Sequence, residues 1–104
     1  MTASQVSIDG QIRLATEAAI PVTDRGFMYG DGVFETLRIY GGRIFAWDRH
    51  RQRLRDGCDR LGIDLQVDDA TLEEWIEALL AANDLVEAYL KIMVSRGVTG
   101  GRLR

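Results

Sequence analysis

The chain has 104 residues, of which 46% are hydrophobic and 28% charged, with a formal net charge of −3 and a pI near 5.1. That length suits one soluble domain, and the acidic balance gives no overall pull toward nucleic acid or an anionic membrane. The single cysteine, Cys58, excludes an intrachain disulfide, and no apolar run approaches the roughly 20 residues of a membrane span. Residues 1–14 carry neither the basic stretch nor the apolar core of a signal peptide. Together with the lone thiol, read as buried and inert, this leads to the expectation of a cytoplasmic protein.

In chain order, Val6 to Arg13 reads as a short hairpin around Asp9-Gly10, a strong two-residue turn signal. Residues 14–23 are weakly patterned and include the only proline, Pro21. Residues 23–32 hold Gly26, Gly30 and Gly32, and read as irregular backbone that turns tightly or approaches something closely. Val33 to Tyr40 follows as a strand rich in β-branched and aromatic residues; Gly41-Gly42 is a tight turn, and Arg43 to Trp47 returns. Asp48 is the expected N-cap of a helix reaching Leu61, with Gly62 as its stop and His50, Leu54, Gly57/Cys58 and Leu61 along one face.

A second helix is expected from Thr71, where Thr71-x-x-Glu74 forms a capping box. Its apolar stripe is Leu72, Trp75, Ile76, Leu79 and Leu80, and Asn83-Asp84 ends it. Glu87 to Arg96 then alternates as a strand, with Ala88, Leu90, Ile92 and Val94 on one face and Tyr89, Lys91, Met93 and Ser95 on the other. The order ββ, ββ, αα, β gives an α+β fold of two layers, a largely antiparallel sheet with two helices. Residues 97–104 read as a glycine-rich basic segment set up to continue into further chain.

Taken singly, the motifs are modest. Gly30-Asp31-Gly32 precedes a strand, whereas a phosphate loop runs from a strand into a helix; by itself it is a tight turn. A lone histidine on an apolar helix face, such as His50, is ordinarily a satisfied core residue. Arg53 sits at the edge of the same face, where a guanidinium either extends into solvent or offers a fork of donors to a phosphate. Asp24, Asp31 and Glu35, irregularly spaced and with no histidine nearby, do not form a metal-ligand pattern; turn capping suits Asp24 and Asp31 better. No metal is expected.

Jointly these residues resemble a known family. The string from Asp24 to Arg38 (DRGFMYGDGVFETLR), then Gly42 and Phe45, then His50-x-x-Arg53-Leu54, is similar to the N-terminal signature of fold-type-IV pyridoxal-phosphate enzymes. Val94-Ser95-Arg96-Gly97 followed by Gly100-Gly101-Arg102 resembles their next landmark. The resemblance implies that residues 1–104 are the small N-terminal domain of such an enzyme, with pyridoxal 5'-phosphate as cofactor. It also implies an amino-acid-like small-molecule substrate, a homo-oligomer, and a larger C-terminal domain bearing the lysine that carries the cofactor.

By that resemblance Arg53 contacts the cofactor phosphate and His50 supports it. Phe34 lines the substrate pocket, and Arg38 and Arg102 are candidates for the substrate carboxylate. Members acting on D-amino acids carry tyrosine at the position of Phe34. No catalytic residue falls in this chain, whose only lysine is Lys91; alone it is expected to be inactive. The Ser-Arg-Gly…Gly-Gly-Arg stretch looks closest to 4-amino-4-deoxychorismate lyases, which release 4-aminobenzoate and pyruvate in folate synthesis. A branched-chain or D-amino-acid aminotransferase of the same family is the alternative. From another class comes a stand-alone, non-catalytic binding domain.

Overall fold

The structure is a computed structural model describing residues 4–98, so Arg102 lies outside the described residues. The Asp9-Gly10 turn closes as its residue types require. Both residues have positive φ (52° and 82°), and β1 (Gln5–Ile8) pairs antiparallel with β2 (Gln11–Leu14). Gly41 and Gly42, with φ of 55° and 77°, likewise join β3 (Gly32–Tyr40) to the short antiparallel β4 (Arg43–Ile44). With β5 (Ala88–Ser95) these form a three-stranded sheet in the order β4-β3-β5. The strict alternation predicted for β5 holds: its even-numbered residues are half-buried and its odd-numbered ones exposed.

The glycine-dense stretch expected to be irregular contains a short helix instead, α1 (Arg25–Tyr29). The Asp24 carboxylate caps it by accepting from the Phe27 amide at 3.0 Å, and Gly30 closes it in the left-handed region. The Asp24 cap offsets the poor helix propensity of Gly26 over a single turn.

Helix α2 (Trp47–Leu61) starts one residue before Asp48, so Asp48 is not its N-cap. Ala46, at φ 55°, swings the chain into the helix with no side-chain cap, and Asp48 accepts from Arg51 Nε at 3.1 Å. Helix α3 (Asp69–Ala82) also begins earlier than Thr71: Asp68 is the cap, and its carboxylate accepts from the Thr71 amide at 2.7 Å. Aspartate at the N-cap serves at least as well as threonine, and here it satisfies the Thr71 amide three residues on, where a Thr71 cap would have served that of Glu74. Gly62 ends α2 and Asn83 ends α3, as expected.

The described residues fall into two compact units. Residues 4–19, 38–45 and 66–89 form the first, and residues 20–37, 46–65 and 90–98 the second. In the first unit Ile39, Leu72, Ile76 and Leu80 are buried, and Asn83 ties α3 to β1 by donating to Gln5 O while accepting from Gln5 N. In the second unit Leu37, Leu54 and Cys58 are at most 1% exposed. No helix among the described residues is long and apolar enough to cross a membrane.

Candidate functional site

The site grows from one anomaly on β3. Glu35 and Leu37 occupy its buried face, while Phe34 and Thr36 are exposed. A carboxylate in an apolar row needs a partner to offset its lost hydration. Glu35, 5% exposed, finds it in Arg53 on α2: Nε donates to Oε1 at 2.5 Å and Nη2 to Oε2 at 2.9 Å. The hydrogen bonds from Arg53 hold the Glu35 carboxyl below its ordinary value against the opposing effect of burial, and His50 acts weakly in the same direction. His50 Nδ1 lies 3.6 Å from Oε2, buried and without a hydrogen bond.

These three residues share the second unit with a cleft of about 540 Å³. Val33, Phe34, Glu35 and Thr36 line it from β3, and Arg53, Asp56, Gly57 and Arg60 from α2. Gly57 makes the close approach of helix and strand possible, since a Cβ there would lie 2.8 Å from Val33 Cγ1. Arg53 and Arg60 give the cleft two guanidinium groups, and Thr36 a hydroxyl. Two carboxylates share the lining: Glu35 is paired with Arg53, and Asp56 accepts from Gln52 Nε2 at 3.0 Å. The donors of Arg53, Arg60 and Thr36 are of the kind that hold an anion with several oxygens, such as a phosphate. Phe34, 61% exposed, contributes an apolar ring, with Lys91 Nζ 4.6 Å above it.

Of the residues singled out from the sequence, His50 and Arg53 thus meet at Glu35, and Phe34 lines the same cleft as Arg53. Arg38 belongs to the first unit, where its guanidinium stacks on Tyr40 and Tyr89 at 4.9 and 4.2 Å. Stacking engages the faces of the guanidinium and leaves its in-plane N–H groups as donors.

Asp24 and Asp31 serve their own neighbours. Asp24 caps α1. Asp31, expected to cap a turn, instead accepts from Arg25 Nε at 3.0 Å and Arg96 Nε at 2.6 Å. Two guanidinium groups, Arg25 six residues earlier and Arg96 65 residues later, favour ion pairing over a local turn bond. Sequence reasoning missed Glu35, Thr36 and Arg60 as site residues. Parity was the usable signal for Glu35, since it shares its strand face with Leu37.

Residues 32–102 match the amino-transferase class IV family. The chain is 36% identical over 93 residues to a D-alanine aminotransferase of Bacillus licheniformis, covering 89% of the chain and 33% of that relative. A solved 4-amino-4-deoxychorismate lyase from Pseudomonas aeruginosa superposes with a TM-score of 0.69 at 36% identity, covering 92% of the chain and 32% of that structure. A branched-chain amino acid aminotransferase of Escherichia coli superposes with a TM-score of 0.84 at 24% identity over 92% of the chain and 33% of that structure, a likeness of fold. The chain spans about a third of the length of the curated relatives it matches.

Proposed function

The chain belongs to the amino-transferase class IV family, and on that premise we propose that it is the small domain of a pyridoxal-phosphate-dependent enzyme acting on an amino-acid-like substrate. The observation that carries this reading is the Arg53 guanidinium, held by Glu35 in a cleft and 65% exposed at its side chain. The cleft would take the phosphate of pyridoxal 5'-phosphate through Arg53 and Arg60 for charge and Thr36 for a hydroxyl, with Gly57 leaving room beside Val33 and Asp56 as the one lining carboxylate besides Glu35. When bound, the cofactor supplies an electron sink for bonds broken at the amino-bearing carbon.

The roles of this chain's residues are binding and orientation. Arg53 would hold the phosphate through Nη1 and Nη2, the edge Glu35 does not use. Phe34 would offer the substrate an apolar wall. The in-plane donors of Arg38, and Arg102, are proposed contacts for a substrate carboxylate. The lysine carrying the cofactor would lie in a further domain. Lys91, the only one here, stands over the Phe34 ring, and we propose that the chain alone is inactive.

The proposed reaction is that of a 4-amino-4-deoxychorismate lyase: the substrate loses its enolpyruvyl side chain as pyruvate and leaves 4-aminobenzoate. The 36% identity to the Pseudomonas aeruginosa lyase over nearly the whole chain supports it. A D-amino-acid aminotransferase is the second reading, favoured by the Bacillus licheniformis relative.

The full-length protein should be offered 4-amino-4-deoxychorismate and, separately, D-alanine with 2-oxoglutarate. Release of 4-aminobenzoate and pyruvate in equal amounts supports the lyase; pyruvate formed only from D-alanine supports the transferase. In the same protein Arg53→Ala should raise the cofactor dissociation constant by roughly one to two orders of magnitude, the worth of a charge-assisted bidentate contact. Arg49→Ala, at an exposed position of α2, should leave it nearly unchanged. Equal affinities would remove Arg53 from the phosphate site.

A further inference from the structure

A guanidinium has five N–H donors in one plane, arranged so that two edges can each take a two-oxygen acceptor. On Arg53 the Nε–Nη2 edge is taken by Glu35. The remaining Nη1–Nη2 edge is on a side chain 65% exposed that lines the cleft. Because the group is rigid and planar, holding one edge sets the direction of the other.

Glu35 is built to hold that edge. It is almost fully buried on β3, and its Oε2 also has His50 Nδ1 3.6 Å away, an atom without a hydrogen bond of its own. A long arginine side chain otherwise loses about 2 kcal/mol of rotamer freedom when a ligand fixes it. Glu35 removes much of that freedom in advance.

We propose that Glu35 is a positioning residue: it grips Arg53 by one edge so that the other is presented, already oriented, to a phosphate in the cleft. The proposal rests on the reading of Arg53 as the phosphate contact. Two effects of Glu35 on a bound dianion oppose each other. Its negative charge repels the ligand, and its grip aligns the donors. The repulsion is weakened because the Arg53 cation pairs directly with the carboxylate in a solvent-open cleft, so alignment should dominate.

The test uses the full-length protein and two probes, pyridoxamine and pyridoxamine 5'-phosphate, with affinity read by quenching of tryptophan fluorescence. The ratio of the two dissociation constants isolates the phosphate contact from folding and ring contacts. Glu35→Gln should lower this phosphate preference about tenfold, the loss expected when a charge-assisted contact is misaligned. Glu35→Asp keeps the charge, withdraws it by one methylene, and should lower the preference by about threefold; it also carries the test if the glutamine variant fails to fold.

Glu35→Gln combined with Arg53→Ala should lower the preference no further than Arg53→Ala alone, because Glu35 acts through Arg53. A folded Glu35 variant with unchanged or raised preference, in a protein where Arg53→Ala lowers it, overturns the positioning role and leaves the phosphate contact standing. An additive loss in the double variant also overturns it. An Arg53→Ala variant with unaltered preference instead removes the reading on which the proposal rests.

Discussion

The Ser95 hydroxyl joins Asp24 across 71 positions of chain, lying 2.8 and 2.7 Å from its two carboxylate oxygens. The same oxygen accepts from the Gly26 amide at 3.1 Å and the Gly97 amide at 2.9 Å. One donor and two acceptor lone pairs are thereby all in use. The node fastens α1 to the end of β5 within one unit. Ser95→Ala would leave the Asp24 carboxylate, on a residue 8% exposed, with the Phe27 amide as its remaining hydrogen-bond donor among the described residues, and would release two backbone donors. A loss of about 2 kcal/mol is expected, within the range for a partner removed from a partly buried carboxylate. Urea unfolding would detect it as a lower midpoint at unchanged slope; a midpoint equal to that of the wild type would make the node ornamental.

Acid should destabilise the fold through Asp31 and Glu35. Hydrogen bonds from Arg96 and then Arg25 hold Asp31 below its ordinary 3.8, and those from Arg53 hold Glu35 below its ordinary 4.5. Both carboxyls bind protons less readily folded than unfolded. As pH falls past these ordinary values, the unfolded chain takes up protons first and stability declines. The contribution is fully present at neutral pH and is lost as pH drops through the depressed folded values. Asp31→Asn should therefore be less stable than wild type at pH 7, with a shallower loss of melting temperature between about pH 5 and 3. Parallel curves would show that Asp31 contributes nothing differential.

Two glycines two residues apart should respond oppositely to a methyl group. A Cβ on Gly32 would lie 2.4 Å from the carbonyl oxygen of Val94, a backbone atom that cannot swing aside. Gly32→Ala should disrupt the contact between the start of β3 and β5, at about 3 kcal/mol or more if the strands must separate. Gly30 faces open space and is constrained only by its φ of 66°, so Gly30→Ala should cost about 1 kcal/mol. Thermal melts of the two variants would check the order; equal losses would contradict it.

Much of this architecture is legible in the sequence. The Asp9-Gly10 and Gly41-Gly42 turns and the Gly62 stop follow from local backbone preference, and the faces of β5 and α3 from period alone. What escaped detection depended on competition between near-equivalent local signals. Asp68 displaced Thr71 as a cap, Ala46 entered α2 through a conformation its residue type does not announce, and glycine density concealed the Asp24 cap. At the site, Arg53 could be placed at the margin of a helix face. Its grip by Glu35, 18 residues earlier, needs β3 and α2 to be brought together, which no local pattern encodes.

Cys58 is the chain's sole sulfhydryl and is 1% exposed on the inner face of α2, where burial also pushes its thiol up from the ordinary value. A maleimide or disulfide reagent can therefore react only after that helix lifts from its neighbours. Labelling kinetics would work as an intrinsic clock for the opening of α2, the helix that carries His50 and Arg53. Phosphate ligands that close the clock, by slowing reagent uptake without changing the free-reagent chemistry, would report occupancy of the cleft in unaltered protein, with no dye or engineered probe.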